Sequence, residues 1–512
     1  MADHFNRLPA ETVREIFTLA FVVPLESWWE VYSDRSEPQY PASLHPYAWL
    51  LSTLACCRWR TIAIECTALW QTLPIMSSQQ TSIALDRSKS SPLDVTAVLS
   101  EDEIIRQDQL IGLSTALQQL CRVRSLRISF VEGTRAQLIP EFGATMDAPI
   151  LEHLEAHNVP LVATIGNLWN APCLTRIEMY VGSRRLDMVA LNPWKVIQVL
   201  ARPSIKHLVW NTCAYRGGPY ESEILPVLRQ LPHLEYLHLH LSQWSGDLPL
   251  AESSRVAKFP QLLCLRQIIL SGHISHCSGL LESIQYSTDQ TKITVYAEHP
   301  VRIRQPVQGV WLLQHIIDCT EEHISDFVSP LVTVSIMFDE EGLNMTIHGW
   351  RTLRSALWLQ FANETESRRP QQYQPPETDV FWAIPLRFHA QHIGVFARSI
   401  SPGHIQVLSL YEPHSGGNPP LLQVLAVMPN IHTLLIGSAT ARDIYDTVFG
   451  VQPRGTDKKL RRQVLPNLNK LFLARISFAG RNNITEKCAQ CCIFVHSAYY
   501  LHEIPQVVLS KI

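Results

Sequence analysis

A proline followed by an apolar Leu-x-x-Leu-x-Leu run recurs along this chain, and that repeat constrains the fold more than any other feature. It appears at Pro149 with Leu151 and Leu154, at Pro172 with Leu174, Ile177 and Met179, and at Pro203 with Ile205, Leu208 and Trp210. It continues at Pro232 with Leu234, Leu237 and Leu239, and at Pro260 with Leu262 and Leu265. After a less regular stretch at 281–400 it returns at Ile405, Leu408 and Leu410, at Pro429 with Ile431, Leu434 and Ile436, and at Pro466 with Leu468, Leu471 and Leu473. The first prolines are 23, 31, 29 and 28 residues apart, around the upper end of leucine-rich repeat lengths. The last two apolar positions of each run alternate, as a strand facing a core requires. The segments between, such as WKVIQVLARP and SEILPVLRQLP, carry apolar residues at helical spacing.

One strand and one helix cannot bury their own apolar face, so such units must stack. The expected fold class is α/β: a helical N-terminal block, then an irregular leucine-rich-repeat solenoid with a mainly parallel curved sheet. Leu154, Ile177, Leu208, Leu237, Leu265, Leu434 and Leu471 are expected at equivalent buried positions. The Asn or Cys that often follows the strand is nearly absent. Cys213 occupies that place, whereas Val159, Gly182, Ser242, Ala439 and Ile476 do not fit. Within 281–400, LVTVSIMF and LNMTIHGW alternate like strands, and the polar, Pro-rich 363–379 reads as a surface loop.

The strand residues that alternate with the core positions are His153, Glu155, His157, Arg176, Glu178, Tyr180, His207, Asn211, Tyr236, His238 and His240. They are expected on the solvent face, the usual binding surface of a solenoid. Arg176, Tyr180, His207, Tyr236, His238 and His240 are the candidate substrate-binding residues, because aromatic, Arg and ring side chains make good interface anchors. The histidines would add positive charge to the strip below about pH 6.5.

The N-terminal block reads differently. Val13, Ile16, Phe17 and Ala20 recur at helical spacing after Leu8-Pro9, and Pro24 stops the run. A loop over 25–46 rich in Trp, Ser, Glu and Pro follows, then a second helical stretch from about Tyr47 to Cys66. The pieces FNRLPAETVREIF and LSTLACCRWRTIAIECTALWQTL resemble an F-box of the kind common among basidiomycete fungi. The anchors are Leu8-Pro9, Ile16-Phe17, Leu51-Ser52, Cys56, Arg58-Trp59, Ile62-Ala63 and Leu69-Trp70. Ala55 stands where that family usually has Val, Cys57 where it often has Arg, and the insert before Leu51 is long. Residues 84–99 and 121–130 resemble the strand-rich start of the repeat region in the same family.

The resemblance implies an F-box-like domain over 1–76 and a repeat region over 77–512. It implies a substrate-recognition subunit of a cullin-RING ubiquitin ligase, docked on a Skp-family adaptor and holding a protein substrate on its repeats. Leu8, Pro9, Ile16, Phe17, Leu51, Cys56, Trp59 and Ile62 are the residues carried over as adaptor-binding or F-box core. The alternative is a repeat scaffold that binds a partner without a ligase.

Other functions find little support. The formal charge of −3 argues against a globally basic nucleic-acid binder. The opening residues carry charges where a secretory signal needs an apolar stretch, and no run is long and apolar enough to span a membrane. The expectation is an intracellular protein, cytoplasmic or nuclear, whose 12 cysteines are mostly reduced and buried. Nucleotide, serine-hydrolase and zinc-protease motifs are absent, so no catalytic residue and no cofactor are expected. Cys488, Cys491, His496 and His502 have zinc-like spacing but sit in an apolar segment that reads as core, and no metal is expected there.

Overall fold

A computed structural model describes residues 8–21, 56–100, 102–130, 146–157, 169–181, 194–212, 221–241, 260–287, 291–298, 333–338, 344–350, 380–385, 404–411, 428, 430–437, 467, 470–474 and 506–510. Two compact units divide the chain, Met1–Cys264 and Leu265–Ile512. The helical N-terminal block belongs to the first unit.

Helix α1 (Ala10–Phe21) starts with the hydrogen bond from Val13 N to Pro9 O, at 3.1 Å. Helix α2 (Cys57–Glu65) lies within the expected Tyr47–Cys66 stretch, of which 47–55 fall outside the described residues. Cys56 is extended there, and its thiol caps the helix by accepting from Trp59 N at 3.4 Å. A short 3-10 turn, Thr67–Trp70, leads into strand β1 (Thr72–Pro74). Helix α3 (Ser78–Ser88), strand β2 (Leu93–Leu99), helix α4 (Glu103–Leu117) and strand β3 (Val123–Phe130) complete two strand-helix units. Residues 84–88, which resembled strand, are the last turns of α3, because Ser77 caps that helix and Thr81, Ala84 and Ser88 bury at helical spacing. Asp102 caps α4 by accepting from the amides of Ile104 and Ile105, at 2.9 and 3.1 Å. Gly112 lets α4 close on α3: a Cβ there would lie 2.9 Å from Thr81 Oγ1.

Strands β4 (His153–His157), β5 (Arg176–Val181), β6 (His207–Thr212) and β7 (Tyr236–Leu241) continue the sheet of the first unit. From β1 to β7 every neighbouring pair is parallel. Helices α5 (Trp194–Leu200) and α6 (Glu221–Leu228) connect β5 to β6 and β6 to β7, as the spacing predicts. Leu154, Ile177, Leu208 and Leu237 are in register across four strands and have no exposed surface.

The repeated proline has a local cause. Leu151 N bonds Ala148 O, Leu174 N bonds Ala171 O, Ile205 N bonds Arg202 O and Leu234 N bonds Leu231 O, at 3.1 to 3.2 Å. Each is a four-residue turn with Pro149, Pro172, Pro203 or Pro232 second, the place its fixed φ suits. The turn ends on a buried Leu or Ile and feeds the strand.

In the second unit, strands β8 (Gln267–His273) and β9 (Lys292–Glu298) pair in parallel. Helix α7 (Ile274–Glu282) lies between them in the chain. Strand β10 (Thr333–Phe338), β11 (Asn344–Trp350) and β12 (Val380–Pro385) follow, then β13 (Val407–Tyr411), β14 (Thr433–Gly437), β15 (Lys470–Ala474) and β16 (Gln506–Ser510). β9 pairs with β12, and β12, β11 and β10 run antiparallel before β10 joins β13 in parallel. This explains the irregular 281–400 stretch: an antiparallel excursion interrupts a parallel stack. Leu408, Leu434, Leu471 and Val507 are in register across β13 to β16.

One expected equivalence is displaced. Leu265 is buried but precedes β8, as Leu234 precedes β7, and Ile268 holds the place that Leu237 holds in its own strand. The misreading came from measuring the run from Pro260, which lies further from its strand than the other prolines do. The fold is a mainly parallel α/β solenoid, as the repeats predict.

Candidate functional site

The first unit holds two sets of candidate residues. The first is the N-terminal helix pair. Val13 and Phe17 are fully buried, and Ile62 and Ala63 pack beside them. Phe17 meets Trp59 edge to face, with ring centroids 5.5 Å apart. Arg58 Nη2 donates to Leu8 O at 2.5 Å, which ties the residues before α1 to α2. Pro9 and Ile16 are exposed, Leu8 is half-buried, and Leu19 is 78% exposed one turn beyond Ile16. Of the residues carried over from the F-box resemblance, Phe17 and Ile62 are therefore internal and Cys56 is a helix cap. Leu8, Pro9 and Ile16 keep exposed surface. Leu51 lies outside the described residues.

The second set is the face of β3 to β7 opposite the aliphatic core. Register forms three rows. One runs Ser125, His153, Arg176, His207, Tyr236; the next Arg127, Glu155, Glu178, Val209, His238; the third Ser129, His157, Tyr180, Asn211. His207 stacks on Tyr236 at 4.1 Å with planes 4° apart, and His157 packs on Tyr180 at 4.2 Å. All six candidate substrate-binding residues thus share this face, with His240 two positions beyond His238 on β7.

The face is more buried than the alternation predicts. Glu155 is 6% exposed, Glu178 4%, Val209 2% and His240 8%. Burial at these positions makes the polar groups satisfy one another. Glu155 accepts at 2.8 Å from His157 Nε2 and lies 3.4 Å from Arg127 Nε. Glu178 contacts Arg176 Nε and, at 3.2 Å, His207 Nε2, and its other oxygen accepts from Tyr180 OH at 2.9 Å. Two carboxylates thus face two guanidinium groups, and the cluster balances its formal charge.

That environment resets the titrations. Burial raises the Glu178 carboxyl, but the His207 hydrogen bond and Arg176 outweigh it and hold the group at about 2. Burial brings His153 down to about 4 against the opposing pull of Glu155. Burial, then His240, brings His238 down to about 4, and burial also lowers His240. Tyr180 is pushed up by burial and by Glu178. Burial therefore disfavours the charged form of His153, His238 and His240 within the strip.

Sequence reasoning stopped the strip at β4 and missed Arg127 on β3, whose side chain is only 10% exposed. The alternation in CRVRSLRISF was the signal that could have found it. Cys488, Cys491, His496 and His502 lie outside the described residues. Among the described residues no helix is long and apolar enough to cross a membrane. No protein-family model matches the chain, and no curated protein does.

Proposed function

We propose that this chain is the substrate-recognition subunit of a Skp-cullin-F-box ubiquitin ligase, working in the cytoplasm or nucleus and carrying out no catalysis itself. The observation that carries the reading is the split within the N-terminal helices. Phe17, Trp59 and Ile62 hold the pair together, while Leu8, Pro9, Ile16 and Leu19 leave an apolar edge for a Skp-family adaptor. Apolar side chains left together at a helix edge are the material of an interface.

The solenoid supplies the second half of the function. Its polar face presents two aromatic-on-imidazole stacks and Arg176 within one set of register rows. A protein substrate held there, on a chain fixed to the adaptor, is kept at high effective concentration beside the ubiquitin-charged enzyme. Co-purification with the Skp-family adaptor tests the reading. An adaptor recovered at stoichiometric level agrees with it. A chain that holds its substrate yet never recovers adaptor is a scaffold acting without a ligase.

A further inference from the structure

The polar face holds a donor set that neither the repeat pattern nor the ligase reading uses. His153, Glu155 and Glu178 each offer one ligand atom, and these atoms all lie within 4.8 Å of one another. His153 and Glu155 are two apart on β4 and so share a face, and Glu178 is the register partner of Glu155 on β5. His153 Nε2 lies 3.7 Å from Glu155 Oε2 and 3.9 Å from Glu178 Oε1. Neither is a hydrogen bond, and His153 Nε2 is buried with no hydrogen-bond partner among the described residues. We propose that His153, Glu155 and Glu178 bind a zinc ion on the sheet face, with the fourth position open to water.

The neighbours suit that role. Ser125 Oγ lies 3.5 Å from His153 Nδ1 and holds the ring so that Nε2 faces the carboxylates. His157 Nε2 bonds the Glu155 oxygen that does not face His153, and Tyr180 OH bonds the Glu178 oxygen that does not. Such outer contacts orient metal ligands and fix the ring tautomer. One nitrogen and two carboxylate oxygens match zinc, whereas calcium and magnesium need about six oxygen ligands. Zinc–ligand bonds of about 2.0–2.1 Å set tetrahedral ligand atoms about 3.3–3.4 Å apart, so His153 Nε2 must close on each carboxylate by about half an ångström and the two carboxylate oxygens on each other by as much as about 1.4 Å. Side-chain rotation supplies that.

Two arginines oppose the ion. Arg127 Nε lies 3.4 Å from Glu155 Oε2, out of line for a hydrogen bond, but its charge still attracts that oxygen and opposes the ion. Arg176 and, at 3.2 Å, His207 Nε2 contact the Glu178 oxygen that would ligate, so both must yield to the ion; the Arg176 side chain is 45% exposed and can turn out to solvent. Zinc and Arg176 therefore compete for one oxygen, and this competition separates a metal site from a plain ion-pair network.

The test uses the untagged full chain, titrated with zinc chloride against a competing chelator, and Co2+ as a spectroscopic probe. Wild type should bind about one zinc, with tetrahedral Co2+ absorption free of thiolate bands. His153→Ala should weaken binding at least about tenfold, and Ser125→Ala should weaken it less. Arg176→Gln, at a half-exposed side chain, should tighten zinc at least about tenfold. Circular dichroism checks that each variant is folded. Equal binding by wild type and His153→Ala, weaker zinc binding by Arg176→Gln, or Co2+ thiolate bands from the exposed Cys57, Cys121, Cys173 or Cys264 would each overturn the proposal.

Discussion

Phe17 on the first helix sits edge-on to the Trp59 ring on the second, at 5.5 Å and with the planes 82° apart. This contact, with the Arg58 bond to Leu8 O, joins two helices that are distant in sequence. Phe17→Ala should cost about 3–5 kcal/mol, the usual loss for a fully buried aromatic. Hydrogen exchange should then speed up at the amides of α1 and α2 while β4 to β7 keep their protection. Unchanged exchange in α1 would show that the ring does not hold the pair.

The aliphatic side of the solenoid should be far less tolerant than its turns. Leu237→Ala, at a position with no exposed surface, should cost roughly 2–5 kcal/mol by chemical denaturation. Pro232→Ala, in the exposed turn five residues earlier, acts mainly through the unfolded chain and should cost less than about 1 kcal/mol. Similar losses at the two sites would contradict the turn-then-core account of the repeat.

Stability should fall on the acid side in two stages. His238 is faced by His240 and His207 and by the carboxylate of Glu178, and it titrates at about 4 when folded. Its folded value is below the ordinary histidine value of 6.5, so the unfolded chain takes the proton first, and stability present above that pH is lost between 6.5 and 4. Glu178, held at about 2 against an ordinary glutamate value of 4.5, adds a second loss as pH falls through that lower window. His238→Gln should flatten the first stage by up to about 3 kcal/mol and leave the second in place. A pH-stability curve identical to wild type between 6.5 and 4 would contradict the burial of that ring.

Substrate capture should depend on the polar face. Tyr236→Ala removes the ring stacked on His207, and Arg176→Ala removes the half-exposed guanidinium beside Glu178. Each should reduce the substrate recovered per adaptor recovered, measured by quantitative mass spectrometry of the same complex. Deletion of residues 366–377 is the matching control. Loss of capture on that deletion, with both point variants normal, would place recognition elsewhere in the chain.

The repeat was legible because its signals are local. A proline in a tight turn, a Leu closing it and a period of two along the strand all lie within a few residues, so Leu154, Ile177, Leu208 and Leu237 could be aligned by eye. Leu265 was misplaced because Pro260 is offset from β8. The pairing of β12 with β9 was not legible, since nothing in VFWAIP shows which strands it joins. The polar rows were legible residue by residue, but their burial and titration were not. Those depend on Arg127, Glu155 and Glu178 arriving side by side from three strands, a consequence of register that no single strand encodes.

The central claim is that the edge formed by Leu8, Pro9 and Ile16 docks a Skp-family adaptor. The direct measurement is titration calorimetry of the purified full chain against purified adaptor, for wild type and for the Leu8→Ala, Pro9→Ala double variant. The Arg58 bond is to the backbone oxygen of residue 8, so the variant keeps that tie. Wild type should bind, and the double variant should bind more weakly by at least about 1–3 kcal/mol with its circular dichroism unchanged. Equal affinity for the two proteins, or no adaptor binding by wild type, would contradict the account.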